Sequence, residues 1–449
     1  MDWAVRVDVS KQTQPVAEVF SLDYEGRGVA RIGGKAIFIE GALPGEVVTY
    51  RMVRSKKNFD EAVVDKVLRA SDWRVTPRCP YYGECGGCAL QHADEYAQVA
   101  YKQRVLEEQL ERIGKVQAEQ IFPPIYGLSW AYRQRARLSV ARDKQGNCHV
   151  GFRARHSNQV VNIASCSILP SEVSAMLPEL QNVLQEMAKK NAVVHSVEYS
   201  IGTNSSVLTV VADTPATEQC RVAIDLFVNN YLKKQPGNWS WEWKVGEKST
   251  GISKHRNESG LSYHLPEFDV EIAFQPGDFT QVNDRTNAVM VSRAMRLLEP
   301  KPGERIADLF CGLGNFALPM ARLGAEVLAI EGSTALVERA RLNAIRNGLE
   351  KRVKFMEANL FQVDAGGVAA WGKLDKLLLD PPRTGAYELV QALRGENSPK
   401  RVVYVSCNPA TFARDASRML ENGYKFKGVG VMNLFPQTTH IESIGLFER

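Results

Sequence analysis

The chain has 449 residues, of which 44% are hydrophobic and 24% are charged, and this corresponds to about three globular domains with cores of their own. A net charge of +5 is too small to identify a nucleic-acid-binding protein, so any polyanion site must come from local clusters of Lys and Arg. Eight cysteines are too few for a disulfide scaffold, and no uncharged apolar run reaches the roughly 18 residues of a membrane span. Residues 1–4 lack the start of a secretion signal, so we expect a cytoplasmic protein without a membrane partner.

The first 73 residues consist of short predicted β-strands separated by turn residues. Glycines and a proline supply the turns, at Gly26, Gly33 and Pro44 among other positions. Several short strands in so short a segment favour a small barrel of the oligonucleotide-binding type, which we place at residues 1–73. The predicted strands cover residues 16–20, 29–32, 36–39, 47–53 and 61–68.

A cluster of basic residues lies on one turn of this predicted barrel. Arg51, Arg54, Lys56 and Lys57 follow one another closely beside Phe59. Such a cluster suits an edge that contacts phosphates, and it suits equally well a solvated loop with no ligand.

Residues 74–270 are predicted to form a central α+β domain. A charged helical stretch runs from about 94 to 113, and a helix in the range 94–120 is placed to dock on the C-terminal domain. From about 125 the pattern returns to strands and turns, with one predicted helix near 171–190.

One strand of this region, at 133–140, carries three guanidinium groups on one face. Arg133, Arg135 and Arg137 alternate with the apolar side chains of the other face. Three cations side by side repel each other unless anions lie opposite, and RNA phosphates are one source of such anions. The alternative is an exposed edge strand that its charges protect from aggregation.

Four cysteines have the spacing of a metal site. Cys79, Cys85 and Cys88 lie within ten residues, and Cys166 follows far downstream. This spacing fits a zinc ion, for which His92 is a possible replacement ligand, and it fits a cubane iron–sulfur cluster about equally. Three other cysteines are interpreted as packing residues: Cys148, Cys220 and Cys311.

From about residue 271 strands and helices alternate, which indicates a doubly wound, mostly parallel sheet. The predicted strands cover residues 305–310, 326–331, 353–357, 376–380 and 402–407. We place the third domain at residues 271–449.

The first strand of this domain leads into a glycine-containing loop. Gly312 and Gly314 allow a tight turn and a close approach to a ligand. Glu331 ends the next strand, where a carboxylate can accept hydrogen bonds from ribose hydroxyls, and Asn359 follows the third strand, where it can contact adenine or cap a helix. With Ala317 the loop also satisfies a loose dinucleotide pattern, so this loop leaves NAD as an alternative ligand.

Two later strands end in residues with unusual chemistry. Asp380 precedes two prolines that must stop the strand, and Arg383 after them is placed to meet a phosphate. Cys407 ends another buried strand, so its thiol is expected at the edge where ligands bind in such sheets.

A thiol at this edge suits addition to C6 of a uracil, since the resulting enolate makes C5 a carbon nucleophile that can attack a methyl sulfonium. A general base must then remove the C5 proton. Glu442 is the nearest C-terminal carboxylate in a motif-like setting.

Five segments together resemble the uracil-5 RNA methyltransferase family, and they occur in order over much of the chain. These segments are residues 279–283 (FTQVN), 308–316 (DLFCGLGNF), 380–383 (DPPR), 406–409 (SCNP) and 440–443 (HIES). The resemblance implies a Rossmann-like S-adenosylmethionine methyltransferase domain, with Cys407 as nucleophile and Glu442 as base. It further implies that the cofactor is bound by Gln281, Phe310, Asn315, Glu331, Asn359 and Asp380.

The N-terminal half resembles the branch of this family that carries a TRAM barrel and modifies 23S ribosomal RNA. This resemblance implies that the four spaced cysteines hold a [4Fe–4S] cluster and that the partner is RNA, not DNA; we expect a monomer. Two other hypotheses stay open from the residues: an NAD-linked iron–sulfur oxidoreductase and a non-catalytic RNA-binding factor.

Overall fold

The computed structural model describes residues 15–232, 238–246, 248–252, 260–395 and 398–449. Residues 1–14, which include the segment inspected for a secretion signal and the start of the predicted first domain, lie outside the described residues. None of the helices in the described ranges is long and apolar enough to cross a lipid bilayer.

The N-terminal region is a six-stranded barrel built on alternating buried side chains. Ile37 and Ile39 point into its core, and Gly33 and Gly34 both have positive φ in the two-residue turn before them, as a tight hairpin requires. The strands are β1 (Val16–Glu18), β2 (Ser21–Leu22), β3 (Gly28–Ile32), β4 (Lys35–Glu40), β5 (Val47–Ser55) and β6 (Phe59–Arg69).

The first predicted strand, at residues 16–20, is too long, because β1 ends at Glu18 and residues 19–20 connect it to β2. The hydrogen-bonded order is β1-β5-β6-β4-β3-β2, so β1 and β2 lie at its two ends although they are consecutive in the chain. Val19 donates its N–H to the Glu46 carbonyl at 2.9 Å, whereas Phe20 donates to the Val29 carbonyl at 3.0 Å. This change of partner brings the two edges of the sheet together and closes the barrel.

The central region is a seven-stranded sheet in the order β13-β12-β11-β10-β7-β8-β9. Its strands are β7 (Arg135–Arg142), β8 (Cys148–Arg153), β9 (Val160–Asn162), β10 (Val194–Ile201), β11 (Ser206–Ala212), β12 (Trp239–Val245) and β13 (Lys248–Ile252). Two helices accompany it, α2 (Ser171–Lys189) and α3 (Glu218–Asn230). The sequence predicted only α2. The second helix begins at the cap residue Thr217, whose hydroxyl accepts from the Cys220 N–H at 3.3 Å.

The arginine-bearing strand β7 lies inside this sheet, between β10 and β8. The alternative of an exposed edge strand is therefore wrong. Arg135 donates to the Asp278 carbonyl and lies 5.8 Å from the centre of the Phe279 ring, while Arg137 pairs with Glu198 at 3.5 Å. The arginine face is turned towards the segment that begins the C-terminal domain.

The helix predicted at 94–113 is α1 (Glu95–Gln109), which continues through a π-helical turn at Leu110–Gly114. Asp94 caps it, because its carboxylate accepts from the Tyr96 N–H at 2.9 Å. The helix packs on the C-terminal domain, and it also holds the barrel: Arg104 donates to the Leu22 carbonyl at 2.7 Å, and Tyr101 donates to the Asp23 carbonyl at 3.0 Å.

The C-terminal domain is a doubly wound sheet in the order β18-β17-β16-β19-β20-β22-β21. All neighbours pair in parallel except β22, which runs antiparallel to both β20 and β21. Its strands are β16 (Arg305–Leu309), β17 (Glu326–Glu331), β18 (Val353–Glu357), β19 (Lys376–Leu379), β20 (Arg401–Ser406), β21 (Lys425–Met432) and β22 (Glu442–Glu448). Its helices are α4 (Asp284–Leu298), α5 (Ala317–Arg322), α6 (Thr334–Arg346), α7 (Ala365–Ala370), α8 (Tyr387–Ala392) and α9 (Pro409–Glu421).

A two-stranded sheet, β14 (Leu261–Leu265) and β15 (Val270–Phe274), leads into this domain. Both strands share a hydrophobic core with α4 and with strand β16 of the large sheet. The predicted boundary at 270–271 therefore falls inside β15, after its first residue, and β15 already packs with the C-terminal elements.

Candidate active site

Three of the predicted site residues meet at one edge of the C-terminal sheet. Asp380 follows β19 directly, Cys407 follows β20 directly, and Glu442 is the first residue of β22. Ser406 pairs with Ser443 in the antiparallel register of β20 and β22. Continuing that register by one residue places Cys407 opposite Glu442, so the thiol and the carboxylate lie across from each other.

The backbone around Cys407 is fixed by its neighbours on both sides. Asn408 caps α9 by accepting from the Ala410 N–H at 3.1 Å, and its amide donates to the Arg383 carbonyl at 3.0 Å. The Ser406 hydroxyl accepts from the Asn408 N–H at 3.2 Å. Cys407 is partly exposed, whereas Cys311 in the same domain is only 4% exposed. The thiol is thus held at the rim, close to the positive end of a helix.

In the free protein, burial and neighbouring charges raise the pKa values of the acidic groups at this rim, which are Cys407, Glu442 and Asp380. Burial, together with the negative charges of Glu442 and Asp380, raises the pKa of Cys407 to about 12. Burial and the charge of Asp380 raise the pKa of Glu442 to about 8, and burial raises the pKa of Asp380 to about 7. The two carboxyls therefore titrate near neutral pH, where a proton-transfer group is most useful.

Arg383 and His440 lie beside this group on the exposed side. Arg383 contacts the His440 ring, with 3.2 Å between its Nη2 atom and Nδ1. Burial, the guanidinium of Arg383, Lys102 and Arg133 lower the pKa of His440 to about 4, so the ring is neutral at physiological pH. Contact of Arg383 with a phosphate stays a prediction.

The glycine loop after β16 has the tight backbone that was predicted. Gly312 and Gly314 have φ of 53° and 95°, and Phe310 before them has φ of 67°, an unusual value for a bulky residue. The Glu331 carboxylate accepts from the backbone N–H groups of Gly312, Gly332 and Ser333 at 3.2, 2.9 and 3.1 Å. The loop and this carboxylate therefore form one rigid unit at the carboxyl ends of β16 and β17.

The remaining predicted cofactor residues are spread around that unit. Phe310 lies 5.6 Å from Phe361, measured between ring centres, which makes an aromatic corner next to Glu331. Asn359 is exposed, and its side-chain oxygen accepts from the Phe361 N–H at 3.1 Å. The alternative of a helix cap for Asn359 is wrong, because Asp364 caps α7.

Asn315 and Gln281 lie on the other side, towards the central domain. The Asn315 amide exchanges two hydrogen bonds of 3.0 Å with Asn287 and accepts a third of 3.0 Å from the Tyr263 hydroxyl. Gln281 lines a cavity of about 320 Å³ together with Arg135 and Asn287. Gln281 therefore borders a space between the two domains, and Asn315 is hydrogen-bonded to two residues that line the same space, Asn287 and Tyr263.

Two buried ionisable groups near the rim were not identified from the sequence. Both carboxylate oxygens of Asp308, one strand position before Leu309, have no hydrogen-bond partner among the described residues. Burial first, and then the charge of Asp380, raise the pKa of Asp308 well above its ordinary value. Asp308 belongs to the quoted motif, but the sequence has no signal that its carboxyl is unpaired.

The second such group is Lys102 of α1, which is only 1% exposed. Its ammonium group donates to the Asn433 side-chain oxygen and to the Phe435 carbonyl, both at 2.8 Å. Burial lowers the pKa of Lys102 to about 7, and the charge of Glu442 opposes that change. In the sequence Lys102 looks like one more charged residue of a surface helix.

In the structure Cys166 comes close to Cys79, Cys85 and Cys88, although it lies far from them in the chain. Burial raises the pKa of Cys88 to about 12, and the charges of Cys166, Cys85 and Cys79 also raise it. Among the described residues no group of three or more Cys, His, Asp or Glu side chains is arranged to hold a single metal ion. His92 is buried with its Nδ1 atom 2.5 Å from the Tyr82 hydroxyl. These findings give no support to a zinc site, nor do they support the predicted [4Fe–4S] cluster.

Comparison with known proteins identifies the chain's relatives. The sequence profile of the tRNA (Uracil-5-)-methyltransferase family matches residues 94–449, and that of the TRAM domain matches residues 10–64. A relative from Neisseria lactamica (strain 020-06), named 23S rRNA (uracil(1939)-C(5))-methyltransferase RlmD, is 48% identical over 437 residues, which are 96% of this chain and 95% of the relative. A protein of the same name from Azoarcus sp. (strain BH72) is 48% identical over 97% of this chain and 100% of its own length.

A solved structure has the same fold over nearly the whole chain. It is the Pyrococcus abyssi tRNA (uracil-54, C5)-methyltransferase in complex with S-adenosyl-L-homocysteine, with a TM-score of 0.72, 24% identity, and coverage of 96% of this chain and 100% of that one. The chain therefore belongs to the tRNA (Uracil-5-)-methyltransferase family. The predicted fold and the predicted class of enzyme, an S-adenosylmethionine-dependent RNA (uracil-C5)-methyltransferase with a TRAM domain, are confirmed, and the NAD-linked alternative is rejected.

Proposed function

We propose that this enzyme transfers a methyl group to C5 of a specific uridine in 23S ribosomal RNA and so forms 5-methyluridine. The relatives that are 48% identical over nearly their whole length carry the name of a 23S rRNA methyltransferase, and this chain has the same extent. The observation that carries the chemistry is the position of a partly exposed thiol, Cys407, one register step beyond a strand pair and opposite Glu442.

In the first step the Cys407 sulfur forms a bond to C6 of the uracil, and the π electrons of C5=C6 move to the O4 oxygen. The thiol must lose its proton first, and the raised pKa of about 12 means that a group at the rim has to accept it. Asp380, whose pKa is about 7, is suited to accept this proton, because Glu442 has to stay ionised to remove the C5 proton later. The N-terminus of α9, which starts two residues after Cys407, favours the developing negative charge on sulfur.

S-adenosylmethionine supplies, when bound, an electrophilic methyl group on a positively charged sulfur. Glu442 then acts as general base: its carboxylate removes the C5 proton, the C5=C6 bond reforms, and the Cys407 sulfur leaves as thiolate. Glu442 is buried, with 6% exposure, so this proton transfer is shielded from bulk water.

We further propose that the six residues implied by the family resemblance hold the cofactor. The Glu331 carboxylate is preorganised by three backbone N–H groups and is placed to accept from the ribose, next to the aromatic corner of Phe310 and Phe361. Gln281 lines the cavity, and Asn315 accepts a hydrogen bond from Tyr263, which lines it too. The full set is Gln281, Phe310, Asn315, Glu331, Asn359 and Asp380.

The four clustered cysteines, we propose, hold a [4Fe–4S] cluster. They fit such a group because all four are free thiols, and burial raises the pKa values of Cys85, Cys88 and Cys166 in the absence of a cation. Cys79, Cys85, Cys88 and Cys166 would each give up a proton and supply a thiolate ligand. The cluster would join the loop before α1 to the central domain.

Iron and sulfide analysis of anaerobically purified protein tests this assignment. We expect close to four iron atoms and four sulfides per chain, and loss of both in Cys88→Ser. Cys148→Ser, at a buried cysteine of β8, is the control and should retain them. Stoichiometric zinc in place of iron would contradict the proposal.

The RNA partner and its recognition by the barrel follow from the same relatives. We propose that the enzyme acts as a cytoplasmic monomer on ribosomal RNA, without a DNA or membrane partner. Light scattering of the purified protein at micromolar concentration should give the mass of one chain, and a stable dimer would contradict this part.

Mapping 5-methyluridine tests the function itself. Cells that lack the gene should lose the modification at one uridine of 23S rRNA, and expression of the wild-type chain should restore it. Cys407→Ser should not restore it, whereas Cys220→Ser, at a buried cysteine of α3, should. Loss at a transfer-RNA uridine instead would overturn the substrate, and restoration by Cys407→Ser would overturn the chemistry.

A further inference from the structure

The buried lysine on α1 has no place in the mechanism described so far. Lys102 donates to Asn433 and to Phe435, which both belong to the loop between β21 and β22. Met432, the last residue of β21, pairs with Glu442 in the β21–β22 register. The lysine is therefore anchored one residue beyond the strand partner of the base.

The rest of α1 holds the same loop through neutral groups. Gln98 donates to the Gln437 side-chain oxygen at 3.0 Å and accepts from the Gln437 N–H at 2.8 Å. Gln437 has φ of 68°, a left-handed conformation that its surroundings must stabilise. Lys102 thus differs from its neighbour Gln98 in one respect: it brings a charge as well as hydrogen bonds.

Several charged groups face this position from the elements packed around it. The charge of Glu442 raises the pKa of Lys102, and the charge of Lys102 lowers the pKa of Glu442. The charge of Asp380 raises the pKa of Glu442, and the charge of Arg383 lowers it. On the neighbouring loop His440 is affected by Lys102, together with Arg383 and Arg133. Two cations lower the pKa of Glu442, and they are Lys102 on α1 and Arg383. Arg383 is exposed, so water screens its charge.

We propose that Lys102 is a positioning residue for the methyl transfer reaction: its buried ammonium group fixes the 433–437 loop and favours the ionised form of Glu442, the form that removes the C5 proton. This inference rests on the proposed role of Glu442 as base. Without a nearby cation a buried carboxyl ionises only at still higher pH, and a protonated carboxyl cannot accept the proton. The lysine is held by an amide oxygen and a carbonyl, not by a competing carboxylate, so its charge acts on Glu442.

Release of tritium from RNA with [5-³H]uridine measures removal of the C5 proton and therefore isolates the step that Glu442 performs. In the wild type the rate should rise with pH as Glu442 ionises. In Lys102→Met, which keeps the volume but not the charge, the midpoint of this rise should move up by about one pH unit or more. At the acid end of the profile the rate should fall about tenfold, and it should recover at high pH.

Two comparisons separate this effect from loss of structure. Gln98→Met removes neutral hydrogen bonds to the same loop, and it should lower the rate at every pH without moving the midpoint. Lys102→Gln keeps a donor without a charge, and it should show the same upward shift as Lys102→Met. Formation of a covalent adduct with 5-fluorouridine RNA precedes proton removal, so both Lys102 variants should retain it.

The outcomes distinguish the inference from the proposed function. A midpoint equal to that of the wild type in both Lys102 variants, or a loss that is uniform with pH, would overturn the role of Lys102 while adduct formation still supported the mechanism. Absence of both adduct and tritium release in the wild-type enzyme would overturn the function on which the inference rests.

Discussion

At the residue scale, Cys407 has a raised pKa, which disfavours its reaction, and a partly exposed position, which favours it. Its pKa is raised to about 12 by burial and by two nearby carboxyls, which makes the free thiol a poor nucleophile. It nevertheless lies partly exposed at the start of a helix, where a substrate can reach it. The thiolate is therefore expected to form only when substrate and cofactor are in place, which protects the thiol from oxidation in the free enzyme.

Replacing Glu442 by Gln should separate the two halves of the reaction. The amide cannot accept the C5 proton, so tritium release should fall at least about 100-fold, and a covalent RNA–enzyme adduct should accumulate with ordinary uridine RNA. Gel shift under denaturing conditions measures the adduct. Glu448→Gln, at the other end of β22, is the control; unchanged turnover in Glu442→Gln would exclude Glu442 as the base.

Asp308→Asn should stabilise the cofactor-free protein, and more so at higher pH. The pKa of Asp308 is well above its ordinary value in the folded state, so between the two pKa values the folded protein holds one more proton than the unfolded chain. The free energy of unfolding then falls with rising pH by about 1.4 kcal/mol per unit, and asparagine removes this loss. Urea unfolding at pH 5 and pH 8 should show the larger gain at pH 8. An equal effect at both values would contradict a protonated Asp308, and Asp72→Asn, at an exposed site, should show no difference between them.

At the scale of elements, five of the seven strands of the C-terminal sheet were predicted, and β21 and β22 were not. The bounds of β17 and β18 are as predicted, and the ends of β16, β19 and β20 lie within one residue of the prediction. The central strands β19 and β20 are buried along almost their whole length, so they appear in the sequence as apolar runs. The antiparallel direction of β22 could not be predicted, since strand direction depends on pairing and not on local pattern. That direction is what brings Glu442, at the beginning of its strand, to the edge where the other strands end.

The burial of Lys102 could not be predicted from the sequence either. The polar residues Gln98 and Lys102 read as the solvated face of a charged helix, because burial of a lysine depends on which loop packs over it. The 433–437 loop does so here, and it is braced on its other side by the segment after Cys88: Ala89 and Leu90 donate to the Gln437 carbonyl at 2.8 and 3.0 Å. The proposed cluster site and the base are thus connected through one loop.

The chain between α1 and the central domain docks on β21 through a contact that glycine permits. Phe122 donates its N–H to the Val429 carbonyl at 2.7 Å, and a Cβ atom at Gly428 would lie 2.3 Å from its ring. Gly428→Val should therefore lower the free energy of unfolding by about 1–3 kcal/mol. Addition of Phe122→Ala should recover part of that loss in a double-mutant cycle measured by urea unfolding. Purely additive effects would show that the two side chains do not meet.

On the scale of the whole molecule, α1 joins the TRAM barrel to the catalytic sheet. Its Arg104 and Tyr101 hold the barrel while its Lys102 holds the catalytic loop. The barrel therefore has a fixed place relative to Cys407, and RNA bound to it would reach the active site in a defined register. The sequence did not show that β1 and β2, which are consecutive in the chain, lie at opposite ends of the sheet and so close the barrel. Residues 16–20 were predicted as one strand.

The basic residues of the barrel should contribute to RNA binding through phosphates. Arg51 and Arg54 are exposed at the end of β5, and a double replacement by Ser should weaken RNA binding and reduce the slope of log K against log salt by about 2. Adduct formation at saturating RNA should be unchanged. Replacement of the exposed Lys189 and Lys190 beyond the central sheet is the charge-matched control, and an unchanged salt slope in the barrel variant would assign the cluster to a solvated loop.

The covalent bond between the Cys407 sulfur and the uracil tests the central claim most directly. When the enzyme is mixed with S-adenosylmethionine and 23S rRNA fragments that contain 5-fluorouridine, fluorine at C5 cannot be removed as a proton, so the enzyme should stay attached to the methylated base. Peptide mass spectrometry should locate the modified nucleotide on Cys407. Recovery of unmodified Cys407 from a reaction in which the methyl group has been transferred would contradict the account.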